Sequence, residues 1–283
     1  MTDFKFNNSD VYLTKGPVPV LRSHSFDQVA CGFFNYGFST RLGGVSEGKF
    51  ASMSLGLKLG DDREKVLENY RRFCHAAGVS SLENVSGPDQ VHKTNIRLAT
   101  REDRGGAILH PARNNEIDAQ ITKEPEVALV VHWADCVPIL LADPVGRVVG
   151  SIHAGWRGTV GGIAKKTVEE MAKAYATNPK NLHALIGPSA GPDNYEVDDK
   201  TIAEFDKVLK REQFMGTRAP RDSHHGYVDL WKANKNFLIQ AGVPEENIVV
   251  TEVCTIDYND LFHSHRATGG ERGVNAGIIE ITT

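Results

Sequence analysis

The chain of 283 residues lacks the features that mark membrane proteins, disulfide-rich secreted proteins and nucleic-acid-binding proteins. No apolar run approaches the roughly 20 residues that a membrane span requires, so we expect no membrane partner. The formal net charge of -4 gives no strongly basic surface, and we expect no nucleic-acid partner either. The four cysteines form no CxxC pair, which favours free thiols in a reducing compartment: Cys31, Cys74, Cys136 and Cys254.

The sequence also lacks internal repeats and long linkers rich in proline or serine. With 40% hydrophobic and 24% charged residues, its composition is that of a globular protein, and we predict one domain over residues 1–283. The first ten residues, MTDFKFNNSD, are polar and have no apolar core of a signal peptide. We therefore predict a flexible terminus at residues 1–10 and a cytoplasmic location. The oligomeric state stays open, and a monomer is compatible with the pattern.

Hydrophobic periodicity predicts a mixture of strands and helices without a strict βαβ alternation, which favours a mixed-sheet α/β or α+β domain. Strands are predicted at residues 30–40, 94–100, 117–122, 127–133, 138–142, 147–153, 182–187, 247–253 and 273–281. Helices are predicted at residues 61–77, 158–176, 200–213 and 229–241. Residues 40–56 form a long loop rich in glycine and serine, and residues 101–116 a mobile loop.

The stretch HWADCVPILLADPVGRVVGSIHAGWRG, residues 132–158, predicts a hairpin that turns at DPVG. Symmetric pairing places Cys136 opposite His153, and a bulge would shift this pairing by one residue. Side chains about 5 Å apart on adjacent strands could share a metal, or act as thiolate and base. The same residues could instead be structural, because cysteine is often a small buried hydrophobe. His132 competes as the reactive histidine.

Three neighbouring features favour a functional site at the open end of this hairpin. Asp135 is an acid in an apolar context, where a carboxylate commonly orients metal ligands or handles protons. Arg157 follows His153 at a glycine-rich helix start, which suits an anion. His92 stands in the polar segment DQVHK just before a strand, where it needs no role in the core.

The order of the motifs TRLGGVSEG, DQVH, DAQIT, ADCVPILLAD, HAGWRGT, IGPSAGPDNYEV and FHSHR with GVNAGII resembles the YfiH/YlmD family. This family is also described as laccase-domain or multicopper polyphenol oxidase proteins and as purine nucleoside phosphorylases. The resemblance runs from about residue 30 to the carboxyl terminus. It implies a single α+β domain, a sandwich of mixed sheets flanked by helices, similar to the catalytic domain of a toxin that uses a Cys–His pair.

The resemblance also implies a zinc site with the ligands His92, Cys136 and His153, with Cu²⁺ as the less favoured metal. Three protein ligands leave one tetrahedral position open, the pattern of catalytic zinc. The implied activity is phosphorolysis of adenosine, inosine and methylthioadenosine together with adenosine deamination, so the partners are a nucleoside and phosphate. Cys136, His153 and Asp135 would be catalytic. The residues at motifs that would contact substrate are Arg41, Ser46, Arg157 and Arg266, with Ser54 in the same loop as Ser46.

Three other functions remain open from the sequence. A zinc-bound water, or Cys136 with His153 as base, could hydrolyse an amide, since the family is also linked to removal of serine from a UDP-muramyl precursor of peptidoglycan. A multicopper oxidase needs many clustered histidines, whereas only HH at 224–225 and HSH at 263–265 come close. A zinc-stabilised interaction module is the non-enzymatic alternative.

Overall fold

The computed structural model describes residues 4–113 and 116–283, which form two large β-sheets with helices on their outer faces. The strands are β1 (Val11–Leu13), β2 (Val20–Ser23), β3 (Phe34–Ser39), β4 (Val85–Ser86), β5 (Ile96–Leu98), β6 (Ala119–Thr122), β7 (Ala128–Trp133), β8 (Val137–Asp143), β9 (Val148–Ala154), β10 (His183–Ile186), β11 (Glu196–Asp198), β12 (His225–Tyr227), β13 (Ile248–Val250) and β14 (Asn275–Ile281). The helices are α1 (His24–Ala30), α2 (Arg63–Ala77), α3 (Trp156–Val160), α4 (Ile163–Tyr175), α5 (Asp199–Asp206) and α6 (Leu230–Gln240). No helix within 4–113 or 116–283 is long and apolar enough to cross a membrane.

Both large sheets have six strands and mixed directions. The first has the order β1-β2-β3-β14-β7-β4, and the second has the order β13-β10-β8-β9-β6-β5. Most neighbouring strands are antiparallel, whereas β4 with β7, β5 with β6, and β10 with β13 are parallel. Strands β11 and β12 form a separate antiparallel pair. This arrangement confirms the predicted α+β class with mixed sheets.

The two sheets pack face to face around a core that neither could bury alone. Val131 and Ile279 of the first sheet meet Leu140 and Leu185 of the second, and all four are fully or almost fully buried. Each such side chain contributes about 1.5–3 kcal/mol when buried. A second core lies between helix α2 and the outer face of the first sheet, and a third between helices α4 to α6 and the outer face of the second. The predicted sandwich flanked by helices is therefore confirmed.

Helix α2 lies where the periodicity predicts it, because both of its ends carry local signals. Asp62 caps the first turn by accepting hydrogen bonds from the backbone of Glu64 and Lys65 at 2.8 and 3.1 Å. Gly78 ends the helix with a φ of 79°, a left-handed conformation that favours glycine. Two other helices differ from their predictions. The predicted helix 158–176 is split at Gly162, whose φ is 72°, and the predicted helix 200–213 ends at Asp206.

The hairpin of β8 and β9 has a different register from the symmetric one. Asp143 pairs with Val148, so four residues rather than two connect the strands, and Pro138 lies opposite His153. The Asp143 carboxylate accepts backbone hydrogen bonds from residues 145 and 146 at 3.0 and 2.9 Å, which stabilises this longer turn. Cys136 therefore stands one step beyond the last pair, next to Gly155. The two side chains remain near each other at the open end of the hairpin.

The predicted mobile loop at 101–116 includes residues 114 and 115, which lie outside the described part of the chain. Its described part contains the short 3-10 helix Arg101–Asp103, and Gly105 donates a backbone hydrogen bond to Val85 at 2.8 Å. At the amino terminus residues 1–3 also lie outside the described part. Within the predicted flexible terminus, the Asn8 side chain donates to the Val250 carbonyl at 2.8 Å.

Candidate metal centre

The open end of the hairpin places Cys136 and His153 beside a residue that has no side chain. A Cβ atom at Gly155 would lie 2.8 Å from Nδ1 of His92 and 3.1 Å from Sγ of Cys136. Contacts that short require the neighbouring atoms to shift. Glycine at this position therefore leaves the space in which the imidazole and the thiol face each other.

His92 reaches the same point from the loop that precedes β5, with a left-handed φ of 59°. Two buried or half-buried side chains hold this loop in place. Gln90 exchanges two hydrogen bonds of 2.7 Å with the backbone of His132 in β7. Asp118 accepts backbone hydrogen bonds from His92 at 2.9 Å and from Lys93 at 2.8 Å. The loop is thus tied to both sheets, which fixes where the His92 side chain begins.

Asp118 also orients the second histidine. Its Oδ1 atom lies 2.9 Å from Nδ1 of His153, and its side chain is fully buried. Burial alone would raise the pKa of Asp118, but the hydrogen bonds from His153 and from the backbone of residues 92 and 93 lower it below the usual range. Because Nδ1 of His153 is engaged, its Nε2 atom is the one available to a metal. Carboxylates in this position commonly fix the tautomer of a metal-ligating histidine.

Donor atoms of His92, Cys136 and His153 all lie within 4.8 Å of one another, close enough to hold one metal ion. Two imidazole nitrogens and one thiolate are donors that transition metals such as zinc accept. Within the part of the chain that the structure describes, this is the one group of three or more such side chains with that geometry. The space at Gly155 and the hydrogen bond to Asp118 fit a metal centre, so a His–Cys–His metal site is chemically consistent with the fold.

Cys136 and His153 also influence each other's protonation. Burial would raise the pKa of the Cys136 thiol, but the charge and hydrogen bond of His153, with a contribution from His92, lower it to about 6. Burial would lower the pKa of His153, but the Cys136 thiolate and Asp118 raise it. The thiolate form that a metal ligand requires is therefore favoured near neutral pH.

The cluster of His92, Cys136 and His153 opens into a cavity of about 450 Å³, a size typical of small-molecule sites. Its apolar walls are formed by Leu59, Trp133, Trp156, Tyr195, Leu230 and Val274. Its polar lining comprises Gln90, His92, His132, Asp135, Cys136, His153, His265, Arg266 and Arg272. Large flat rings and a few convergent polar groups suit a planar, partly polar small molecule.

Asp135 lines this cavity but contacts a different partner from the one we expected. Its Oδ1 accepts a hydrogen bond from the Thr255 hydroxyl and its Oδ2 one from the backbone of Arg266, both at 2.6 Å. It therefore positions the loop that carries Arg266, whereas the carboxylate that orients a metal-site histidine is Asp118. Asp118 precedes strand β6 in the motif DAQIT, and an acid next to an apolar strand was the available signal for it.

Arg266 is the predicted substrate residue that the structure does bring to the cavity. Its Nη1 donates to the Glu196 carbonyl at 3.0 Å, and its guanidinium lies 5.3 Å from the centre of the Tyr195 ring. Arg272 lines the same cavity and was not among the predicted residues. It lies six residues farther along, in a stretch rich in glycine with no distinctive motif of its own.

Three other predicted substrate residues do not line the cavity. Arg41 donates to the backbone carbonyls of Ala51 and Asn259 at 2.7–3.0 Å, so its guanidinium is engaged in holding two loops together. Ser46 is buried and donates to Asp61 at 2.7 Å. Arg157 is exposed and lies 4.2 Å from the centre of the Trp156 ring, on the outer side of the cavity wall. Ser54 is likewise buried and outside the lining.

His132, the competing histidine, lines the cavity and contacts the hydroxyl of buried Tyr70 through its Nε2 atom. Burial, together with nearby positive charge on His153 and Lys58, lowers the pKa of His132 to about 4. The side chain is therefore neutral at physiological pH. It lies beside the metal centre and is not one of the three clustered ligands.

Comparison with known proteins supports this description of the fold. The family model described as "Multi-copper polyphenol oxidoreductase laccase" matches residues 35–282. The chain belongs to this family. The crystal structure of YlmD from Geobacillus stearothermophilus matches with a TM-score of 0.88 and 33% identity over 96% of this chain and 99% of that one. A YfiH protein from Bacillus licheniformis matches with a TM-score of 0.88 and 29% identity over 97% of this chain and all of that one.

Curated members of this laccase-like family bear names that refer to nucleosides. The purine nucleoside phosphorylase YlmD of Geobacillus stearothermophilus is 38% identical over 84% of this chain and 86% of its own length. A purine nucleoside phosphorylase of Bacteroides thetaiotaomicron is 34% identical over 85% of this chain and 89% of its own length. The adenosine deaminase RL5, from an unknown prokaryotic organism, is 34% identical over 85% of this chain and 90% of its own length.

Proposed function

We propose that this protein is a zinc-dependent purine nucleoside phosphorylase that also deaminates adenosine. The observation that carries the proposal is the position of the His92, Cys136 and His153 cluster, which opens into a cavity lined by aromatic rings and two arginines. The names of relatives that are 34–38% identical over most of their length point to the same substrates.

Zinc is the metal we propose for this centre, in preference to copper. One thiolate and two imidazoles are a common zinc donor set, and three protein ligands leave a position open for chemistry. When bound there, zinc would polarise a substrate atom or bring the pKa of a water to about 7. Multicopper oxidation needs several copper ions, and residues 4–113 and 116–283 offer one cluster of suitable geometry.

The side chains around the centre would bind and orient the substrate. The rings of Trp156 and Tyr195 would contact the flat purine, and Arg266 would bind an anionic group by charge-assisted hydrogen bonds. Asp135 would act through Arg266, because it holds the backbone of that residue. Arg41, Ser46 and Arg157 remain predictions as substrate residues, and none of the three lines the cavity.

Cys136 and His153 would act as metal ligands in this proposal, rather than as a nucleophile and its base. A bound metal would occupy the thiolate and Nε2 of His153 at once, which removes both from direct attack on an amide. The amide hydrolase that removes serine from a muramyl precursor therefore becomes the alternative outcome of the test. It would need no phosphate and would not release a purine.

The test is turnover of adenosine by the zinc-loaded protein, with and without inorganic phosphate, followed by chromatography of the products. We expect adenine and ribose 1-phosphate only when phosphate is present, and inosine in both conditions. The matched control is Cys136→Ala, prepared and supplied with zinc in the same way. Absence of adenine and of inosine with the wild-type protein would overturn the proposal.

A further inference from the structure

Arg272 is a cavity-lining arginine whose backbone is held tightly in place. Glu271 before it pairs with Lys49 at 2.8 Å. Gly273 after it donates to Nδ1 of His263 at 3.2 Å. A Cβ atom at Gly273 would lie 2.6 Å from the His263 ring and 2.8 Å from Ser54, so this segment packs too closely for any other residue. The guanidinium of Arg272 is therefore presented to the cavity from a fixed backbone.

The guanidinium of Arg272 has one nitrogen that is engaged and one buried nitrogen that lacks a partner among the described residues. Its Nη1 atom donates to the Gly273 carbonyl at 3.0 Å, whereas its Nε atom is buried and has no hydrogen-bond partner among the described residues. Nε and Nη2 form the edge that binds two oxygens of a carboxylate or phosphate in parallel. A buried donor without a partner is costly, so this edge is suited to an oxyanion that arrives with the substrate.

No carboxylate among the described residues forms a direct ion pair with Arg272. Asp135 is the carboxylate that lines the same cavity, and both of its oxygens are already engaged by Thr255 and by the backbone of Arg266. No ion pair of Arg272 occurs within the described ranges 4–113 and 116–283. Burial lowers the pKa of Arg272 while the charges of Asp135 and Cys136 oppose this, so the guanidinium is a desolvated cation without a direct partner.

Arg266 supplies a second cation at the same wall. Its Nη1 is engaged by the Glu196 carbonyl, and its ring contact with Tyr195 holds the guanidinium plane over an aromatic face. By contrast, Arg41 has its guanidinium bound to backbone carbonyls, and Arg157 lies outside the lining. Among the four arginines considered as anion ligands, Arg272 and Arg266 are the two whose positions reach the cavity of the metal centre.

We propose that Arg272 is the principal anchor of the phosphate co-substrate, which it binds through its Nε and Nη2 edge with Arg266 as the second cation. This inference rests on the proposed function, since inorganic phosphate is the attacking group in phosphorolysis. It assigns the anion subsite to a residue outside the metal cluster. A phosphate bound there lies in the same cavity as the nucleoside, as direct attack on the sugar requires.

The test compares Arg272→Met and Arg272→Lys with the wild-type protein, and uses Arg101→Met as a control because Arg101 is exposed and outside the lining. We expect the KM for phosphate to rise at least about tenfold in Arg272→Met, with a smaller change in kcat at saturating phosphate, because uniform binding is lost. Arg272→Lys keeps the charge but cannot donate two parallel hydrogen bonds to one anion, so its KM for phosphate should rise as well. Zinc content and thermal melting of each variant report whether the protein is intact.

Direct binding of inorganic phosphate, measured by calorimetry on the zinc-loaded proteins, separates the two proposals. Phosphate binding to the wild type that is lost in both Arg272 variants supports the subsite, even if adenosine is not turned over and the proposed function fails. Phosphorolysis with an unchanged KM for phosphate in an intact Arg272 variant overturns the subsite and leaves the proposed function standing. If Arg272→Met does not fold, phosphate binding and the KM for phosphate of Arg272→Lys decide whether Arg272 binds phosphate.

Discussion

The cavity has two sides that differ in how their polar groups are satisfied. On the metal side, Asp118 accepts hydrogen bonds from the backbone of His92 and from the ring of His153, so that each group is held before any ligand arrives. On the side lined by Arg266 and Arg272, the buried Nε atom of Arg272 has no hydrogen-bond partner among the described residues. In the proposed function the first side would retain one metal ion, whereas the second leaves one donor for a molecule that binds and departs.

The largest effect should follow from removal of a ligand on the metal side. Cys136→Ala deletes the sole thiolate of the cluster, so we expect both phosphorolysis and deamination to fall by at least about 100-fold even with excess zinc. Initial rates of adenine and inosine formation give the measurement. Full activity of this variant would show that the chemistry occurs elsewhere.

Asp118, which supports the metal cluster, and Asp135, which lines the cavity, offer a sharper comparison. Asp118→Asn weakens the support of His92 and His153, and we expect metal affinity to fall about 10- to 100-fold. Asp135→Asn should leave metal affinity close to that of the wild type, because Asp135 contacts Thr255 and Arg266 instead. Competition with a chromophoric chelator measures both. Equal losses in the two variants would contradict the division between the two sides.

A milder test disturbs the metal side without changing a ligand. Gly155→Ala places a methyl group 2.8 Å from the His92 ring and 3.1 Å from the Cys136 sulfur, so these atoms must move by a few tenths of an ångström. We expect the rate of adenosine turnover to fall about tenfold, since small displacements of reacting groups are costly. Unchanged rates together with unchanged zinc affinity would mean that the site relaxes freely at this point.

The smallest effect is expected outside the cavity wall. Arg157 is exposed and stacks 4.2 Å from the Trp156 ring, so Arg157→Met should change the KM for phosphate by no more than about twofold. Steady-state kinetics at varied phosphate, run beside Arg272→Met, give the comparison. A larger rise in the KM for phosphate in Arg157→Met than in Arg272→Met would show that Arg157, and not Arg272, is the main phosphate ligand.

The proximity of Cys136 and His153 could be predicted from the hairpin itself, whereas the family resemblance was needed to add His92 as the third ligand. Cys136 and His153 flank one hairpin, and His92 stands in a polar loop before a strand. The predicted partner of His153 was Cys136, whereas the observed partner is Pro138. The difference arises because the sequence does not reveal whether two or four residues form the turn. Asp118 was missed because its role depends on the parallel pairing of β5 with β6, which brings distant backbone to its carboxylate.

The arginine side could be predicted only in part. Arg41, Arg266 and Arg272 lie in loops and Arg157 lies in the short helix α3, and no local pattern reveals which of these segments face the cavity. Their positions depend on how the two sheets stack and on contacts between residues far apart in the chain, such as Arg41 with the Asn259 carbonyl. The helix boundaries could likewise be predicted only in part. The hydrophobic pattern predicts one helix over 158–176, but Gly162, with a φ of 72°, separates helix α3 from helix α4.

The metal centre is tested most directly by the metal content of the purified protein after dialysis against metal-free buffer, measured by mass spectrometry. We expect one zinc ion per chain in the wild-type protein and none in His92→Ala, Cys136→Ala or His153→Ala. Zinc retained at one per chain in any of these variants, or a wild-type protein that binds no zinc when it is supplied, would contradict the proposed metal centre.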